Sequence, residues 1–384
     1  MHSSVDRFLD ELKNWIEIET PTHDREAVNR LGALIEKTCR AEGLIVDKVP
    51  GAPGLGDTIR ARSVAPDGRK GLLVLAHFDT VHPTGTLADG LPWRRDGDRL
   101  YGPGTSDMKA CGLLTIEAWR TIRAEGRVPD YPITFLFTPD EEIGSPGSRG
   151  VIEAEARNAF AVLVVEAARD GGKIVTARKG VARFTVKAEG VASHAGTAFD
   201  KGHSAISEMA RQIAFLDSLV DMEKGVTLNV GLIDGGTAPN TVAQFCSIEV
   251  DVRVKTHDQA EPIVKAIHGI RPHDPNVRLT IEGGLNRPPF FPDAGSTALF
   301  EHARKLAAPI GIDLVGIHAG GGSDGNFTAA LGVPTLDGLG VDGAGAHTLQ
   351  EHIFVSSIQP RVDLFAALLA GTTPEDVAPR GPAR

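Results

Sequence analysis

Residues 71–79 read Gly-Leu-Leu-Val-Leu-Ala-His-Phe-Asp, an apolar run that ends on His77 and Asp79. A short apolar run without alternation is the pattern of a strand buried on both faces of a sheet. YPITFLFTPD (131–140) and AFAVLVVEA (159–167) have the same character and also end in polar residues. Between the first two lies MKACGLLTIEAWRTIRAEG (108–126), apolar at helical spacing. Upstream, the same spacing predicts helices over about 4–18 and 24–42, the second with Asp24 as its N-cap. Strands alternating with helices predict an α/β sheet, whose sites lie beyond the carboxyl ends of its strands. His77, Asp79, Glu141, Glu142 and Glu166 all fall at such ends.

From residue 179 the texture changes. GVARFTVKAEG (180–190) alternates apolar and polar residues, as a strand with one wet face does. A helix over about 202–219, strands at 227–236 and 243–254, a helix over about 257–270 and a strand at 277–283 follow. This β-α-β-β-α-β order is the split, ferredoxin-like arrangement. It is expected as an insertion over 179–290, so that the first domain is discontinuous, 1–178 with 291–384. The tail TTPEDVAPRGPAR (372–384) reads as loose.

The chain has 384 residues, 41% of them apolar and 23% charged, an ordinary soluble composition with room for two cores. A net charge of −10 argues against a general affinity for nucleic acid or anionic membrane. The three cysteines, Cys39, Cys111 and Cys246, have no C-x-x-C spacing and suit reduced thiols. The start, MHSSVDRFLDELKNWIEIET, reads as an amphipathic helix rather than a signal peptide, and no apolar run reaches transmembrane length. The expected location is cytoplasmic.

The polar residues at the strand ends, with Asp107 in YGPGTSDMKACG (101–112) and His347 in GAGAHTLQEH (343–352), form a set of imidazoles and carboxylates. Such donors suit zinc, manganese or cobalt and point to a metal-dependent hydrolase. Two metals about 3.5–4 Å apart need a bridging carboxylate and further ligands on each side. His77 and Glu166 could serve one ion, Glu142 and His347 the other, with Asp107 between them. Asp79 is spaced to hydrogen-bond the far nitrogen of His77. Glu141 is then the spare carboxylate, since adjacent residues point apart and one can handle protons while the other binds metal. Each piece alone is weak, because a lone H-x-D or a paired Glu is usually unremarkable. The glycines of YGPGTSD and AGGGSDGN (319–326) match neither a phosphate loop nor a dinucleotide fingerprint.

The motifs His77-Phe-Asp79-Thr-Val, Gly102-Pro-Gly-Thr-Ser-Asp107-Met-Lys, Asp140-Glu141-Glu142-Ile-Gly-Ser, Glu166, Ser193-His194-Ala-Gly and His347 span almost the whole chain. In order and spacing the chain resembles the M20 family of di-zinc metallopeptidases, in its glutamate carboxypeptidase (carboxypeptidase G2-like) branch. The resemblance implies His77, Asp107 and Glu166 on one zinc, and Asp107, Glu142 and His347 on the other. It further implies Glu141 as general base, Asp79 as the partner of His77, and a cis peptide bond after Asp107, unusual without proline. The insertion is implied to be a lid that also forms a homodimer. Its His194 would stabilise the oxyanion, in its own subunit or the partner's. Arg287 in NRPPF (286–290) resembles the family's carboxylate-binding arginine. Asn240 and Arg253 are further substrate-binding candidates, although an ion pair at a strand end is an equal account of Arg253. Gly320, Gly321 and Gly322, before Ser323-Asp324, read as a backbone rim of the substrate pocket.

Two departures stand out: Ala76 where relatives often have glycine, and Ala167 where they often have proline. Neither removes a ligand. Glu rather than Asp at 166 fits the carboxypeptidase and deacylase branches. The expected activity is hydrolysis of the amide bond of a small N-acyl or peptidyl amino acid with a free carboxylate, releasing a C-terminal glutamate-like residue. The alternative is a catabolic amidase, deacetylase or aminohydrolase for a small aromatic or N-carbamoyl compound. A non-catalytic binding protein on the same scaffold is disfavoured, since every ligand and the base are present.

Overall fold

The structure, a computed structural model, describes residues 4–378. The part of the expected loose tail at 379–384 lies outside the described residues, and 372–378 form turns. Contacts divide the chain into two compact units. The first comprises the residues up to Ala177, Pro292–Ala319, and those from Ser323 on; the second comprises Arg178–Phe291 with Gly320–Gly322.

The first unit is built on a 6-stranded sheet. Its strand Gly71–His77 is buried at every position and lies between Ile133–Thr138 and Ala159–Val164, parallel to both. Each fully buried Leu or Val on these strands contributes about 1.5–3 kcal/mol by leaving water. The edges are strands that the sequence reading did not find. Ile45–Val49 and Thr58–Arg62 pair antiparallel on one side, and Thr335–Leu336 closes the other. Helix Arg25–Ala41 starts at Asp24, whose carboxylate accepts from the Ala27 N–H at 3.0 Å. The region expected as one helix over 108–126 begins differently. A tight turn, Thr105–Lys109, with non-helical backbone at Asp107 and Met108, precedes the helix Ala110–Ala124. The Asp107–Met108 peptide bond is cis, as the resemblance implied.

The second unit has the expected element order. Strand Gly180–Glu189 is followed by helix Ala205–Asp217, strands Thr227–Gly235 and Phe245–Val254, helix His257–His268 and strand Arg278–Arg287. In the 4-stranded sheet Gly180–Glu189 lies between Phe245–Val254 and Arg278–Arg287, and Thr227–Gly235 is an outer strand. Alternate residues such as Phe184, Val186, Ile248 and Val250 pack on Met209, Leu216, Ile263 and Ile267 of the helices. The last strand runs on to Arg287 with a register shift between Leu285 and Arg287. Arg178 and Phe291 also belong to this unit, where the sequence boundaries had put them in the first. Arg178 and Phe290 exchange backbone hydrogen bonds of 2.9 and 3.0 Å. The Arg178 guanidinium donates to the carbonyls of Gly321 and Gly322 at 3.2 and 3.5 Å, which draws that segment in as well. Among the described residues, no helix is long and apolar enough to cross a membrane.

Candidate metal centre

The parallel strands of the first unit set the floor of the centre. His77 ends its strand in register with Thr138, so the turn Glu141–Ile143 begins just beyond the neighbouring strand end. Glu166 follows the strand Ala159–Val164. Asp107 comes from the tight turn before helix Ala110–Ala124, and His347 from a turn where its backbone has φ +64°. A left-handed residue without glycine is uncommon and worth noting at a site.

These five side chains form two groups that share Asp107. His77, Asp107 and Glu166 make one group and Asp107, Glu142 and His347 the other, with the donor atoms of each group within 4.8 Å of one another. The two oxygens of Asp107 face opposite ways: Oδ1 is 3.1 Å from His77 Nε2, and Oδ2 is 3.2 Å from His347 Nε2. Glu166 Oε1 is 3.7 Å from His77 Nε2, and Glu142 Oε2 is 3.1 Å from His347 Nε2. A carboxylate presenting one oxygen to each group is what a bridge between two ions requires.

The electrostatics of the cluster favour bound positive charge. Hydrogen bonds to Asp107 and Glu142, against some burial, push His347 up to about 10. Burial opposes the charging of His77, yet hydrogen bonds to Asp107 and Asp79, with Glu166 nearby, hold it well above the usual imidazole range. Burial and the charge of Asp107 push Glu142 up to about 8. Burial alone would raise Asp107, but the two imidazoles keep it far below the carboxylate range. Protons thus collect where a divalent ion would put its charge, and ion binding would displace them. Glu142 Oε1 is buried without a hydrogen-bond partner, an acceptor that a cation would satisfy. Two imidazoles with three carboxylates fit zinc-like ions.

Asp79 has no exposed surface and engages four neighbours. Its Oδ1 lies 3.3 Å from His77 Nδ1, which also meets the Asp79 carbonyl at 3.1 Å. Its two oxygens accept from the Glu141 and Glu142 N–H groups, each at 3.2 Å, and Thr22 Oγ1 donates to Oδ2 at 2.7 Å. Sequence reading missed two further carboxylates. Asp324 accepts from Thr138 Oγ1 at 2.9 Å and Ser145 Oγ at 2.5 Å, stapling both ends of the segment that carries Glu141 and Glu142. Glu351 is buried against the Asp107 turn. Both stand in quoted motifs, but nothing local distinguishes such a carboxylate from a solvated one.

The remaining candidates lie in the second unit. His194 Nδ1 accepts from the N–H groups of Gly196 and Thr197, each at 3.1 Å. In the neutral ring this leaves the proton on Nε2, as a donor on an exposed side chain. Asn240 is exposed, and its carbonyl accepts from Ala195 N at 2.9 Å. Arg253 makes a bidentate pair with Asp251, at 2.6 and 2.8 Å, the ion-pair account of that residue. Arg287 is 4% exposed. A Cβ on Gly322 would come 2.6 Å from Arg287 Cδ, so glycine there makes room for the arginine; one on Gly320 or Gly321 would meet nothing within 4 Å.

The profile of peptidase family M20/M25/M40 matches residues 73–371. The chain is 30% identical over 371 residues to carboxypeptidase G2 of Pseudomonas sp. (strain RS-16), covering 93% of this chain and 87% of that one. It is 26% identical to the succinyl-diaminopimelate desuccinylase of Delftia acidovorans, covering 88% of this chain and 91% of that one. In fold it is similar to the M20 family metallo-carboxypeptidase Sso-CP2 from Sulfolobus solfataricus. That likeness has a TM-score of 0.74 at 17% identity, over 95% of this chain and 99% of that one.

Proposed function

The chain belongs to peptidase family M20/M25/M40, and from that premise we propose that it releases a C-terminal glutamate-like residue from a small N-acyl or peptidyl substrate with a free carboxylate. It is a metal-dependent hydrolase of peptide or amide bonds. The observation that carries the reading of the site is the Asp107 carboxylate, with one oxygen toward each histidine. His77, Asp107 and Glu166 would hold one ion and Asp107, Glu142 and His347 the other, zinc in the first instance, with manganese or cobalt as alternatives. Ions held there would supply polarisation of a scissile carbonyl and a water made nucleophilic near neutral pH.

The chain's own groups supply the rest. Glu141 takes the proton of the attacking water and returns it to the leaving amine. Asp79 holds His77 in one tautomer. His194 donates Nε2–H to the oxyanion, from its own subunit or the partner's. Arg287 pairs with the substrate carboxylate, with Asn240 as a further contact and Gly321–Gly322 as the rim, while Arg253 is held by Asp251. The inserted unit acts as a lid and as the contact of a homodimer. Supporting the dimer, Leu232 and Ile233 on the outer strand Thr227–Gly235 are 68% and 61% exposed.

A desuccinylase stands among the relatives, so amide cleavage in this family is not confined to carboxypeptidases. That favours a second reading, in which the same centre is a catabolic amidase, deacetylase or aminohydrolase for a small aromatic or N-carbamoyl compound. A hydrolysis screen of the zinc-, manganese- and cobalt-loaded protein separates the two. Acyl-glutamate and folate-type substrates are set beside N-acetyl, N-carbamoyl and aromatic amine compounds, and amine release is followed. Cleavage of acyl-glutamates is expected, and release only from the second group would sink the carboxypeptidase reading.

A further inference from the structure

His82 directly follows the His77-Phe-Asp79-Thr-Val motif and Glu351 lies inside GAGAHTLQEH, yet neither carries any of the roles above. Glu351 has no exposed surface and His82 is 6% exposed. Both oxygens of Glu351 are engaged. Oε1 accepts from the Ser106 N–H at 2.8 Å and the Asp107 N–H at 2.9 Å. Oε2 accepts from the Gly104 N–H at 3.0 Å and meets His82 Nε2 at 2.7 Å. Charge-assisted bonds of this kind are short and directional. Together they tie three ligand-bearing segments to one carboxylate. His82 follows His77, the three N–H groups belong to the turn of Asp107, and Glu351 itself stands just after His347.

We propose that Glu351, braced by His82, is the positioning residue that sets the spacing of His77, Asp107 and His347, and so the affinity of the centre for its two ions. This rests on the two-ion reading given above. Asp107 can bridge only if its two oxygens face opposite groups. That orientation depends on the backbone of Ser106 and Asp107, and both N–H groups end on Glu351 Oε1. A packing role would need only volume, which glutamine supplies. Whichever way a glutamine amide turns, however, its NH2 faces a peptide N–H, so E351Q breaks the junction without opening a cavity. H82L removes one of the four donors and spares the peptide bonds.

The full chain, E351Q and H82L are stripped of metal and titrated with Zn²⁺ and Co²⁺ against a chelator of known affinity. The Co²⁺ absorption spectrum, the melting temperature of the metal-free forms and the split between kcat and KM are recorded alongside. The unmutated chain should take up two ions. E351Q should bind at least one of them about 10–100-fold more weakly, the usual loss when a hydrogen-bond partner behind a ligand is removed. Its cobalt spectrum should change, and kcat should fall with little change in KM. H82L should shift the same quantities less. Unaltered affinity and cobalt spectrum in E351Q, beside a lowered melting temperature, would mean that the residue only packs and would overturn the proposal. If E351Q does not fold, H82L decides, and unchanged affinity in it overturns the proposal equally. An unmutated chain that takes up fewer than two ions would instead defeat the two-ion reading.

Discussion

Glu141 and Glu142 are chain neighbours held by the same carboxylate, since both their N–H groups end on Asp79. Glu142 then meets His347, while Glu141 is left as the proposed base. Glu141→Ala should keep the full complement of bound metal and lower kcat about 10²–10⁴-fold, the usual contribution of a positioned base. Normal turnover with normal metal content would remove Glu141 from its role. The imidazoles make a second expectation, for the metal-free protein. His347 stands at about 10 against an ordinary 6.5, so between those values the folded chain holds a proton that the unfolded chain has lost. Stability therefore falls as pH rises through that window. Glu142, raised from 4.5 to about 8, works in the same direction over its own window. The melting temperature of the metal-free form should decline from about pH 6.5 to 9, and saturating zinc should flatten the decline by replacing those protons. A metal-free melting temperature that rises across that window would contradict this account of the cluster.

Elements were legible in proportion to how much they bury. Gly71–His77 has no exposed position, so its apolar run could be read directly, and with it the strand-end location of His77. Ile45–Val49 and Thr58–Arg62 escaped notice because Asp47, Arg60 and Arg62 interrupt them. These charges are satisfied across the strands, with Arg60 and Arg62 both on Asp47, a pairing that sequence spacing does not announce. The glycine segment beside strand Arg278–Arg287 shows the same limit. It reads as a rim for substrate, yet the neighbour that would meet a Cβ on Gly322 is the side chain of Arg287. Gly322→Ala should displace that nearly buried arginine and raise KM several-fold for substrates with a free carboxylate. Their esters and the metal content should be little affected, and an equal effect on esters would count against Arg287 as the carboxylate anchor.

At the scale of the whole molecule, the outer strand Thr227–Gly235 presents Leu232 and Ile233 to solvent on an open sheet edge. Unpaired apolar edges of this kind pair with another chain unless something blocks them. Ile233→Lys should convert the proposed dimer to a monomer in size-exclusion chromatography with light scattering. An unaltered dimer would place the contact elsewhere. The sequence by itself determined the order and chemical type of the candidate metal ligands, the buried parallel strands and the β-α-β-β-α-β insertion. Those features rest on local periodicity and on residues at strand ends, which are written consecutively in the chain. Only the tertiary structure decided that the two oxygens of Asp107 face different histidines, that Arg253 is taken by Asp251, and that Glu351 gathers the N–H groups of a distant turn. The first and the last join groups that folding brings together from distant parts of the chain, whose geometry leaves no mark on residue spacing. The second joins two residues of one strand, Asp251 and Arg253, and depends on where their side chains settle on its face.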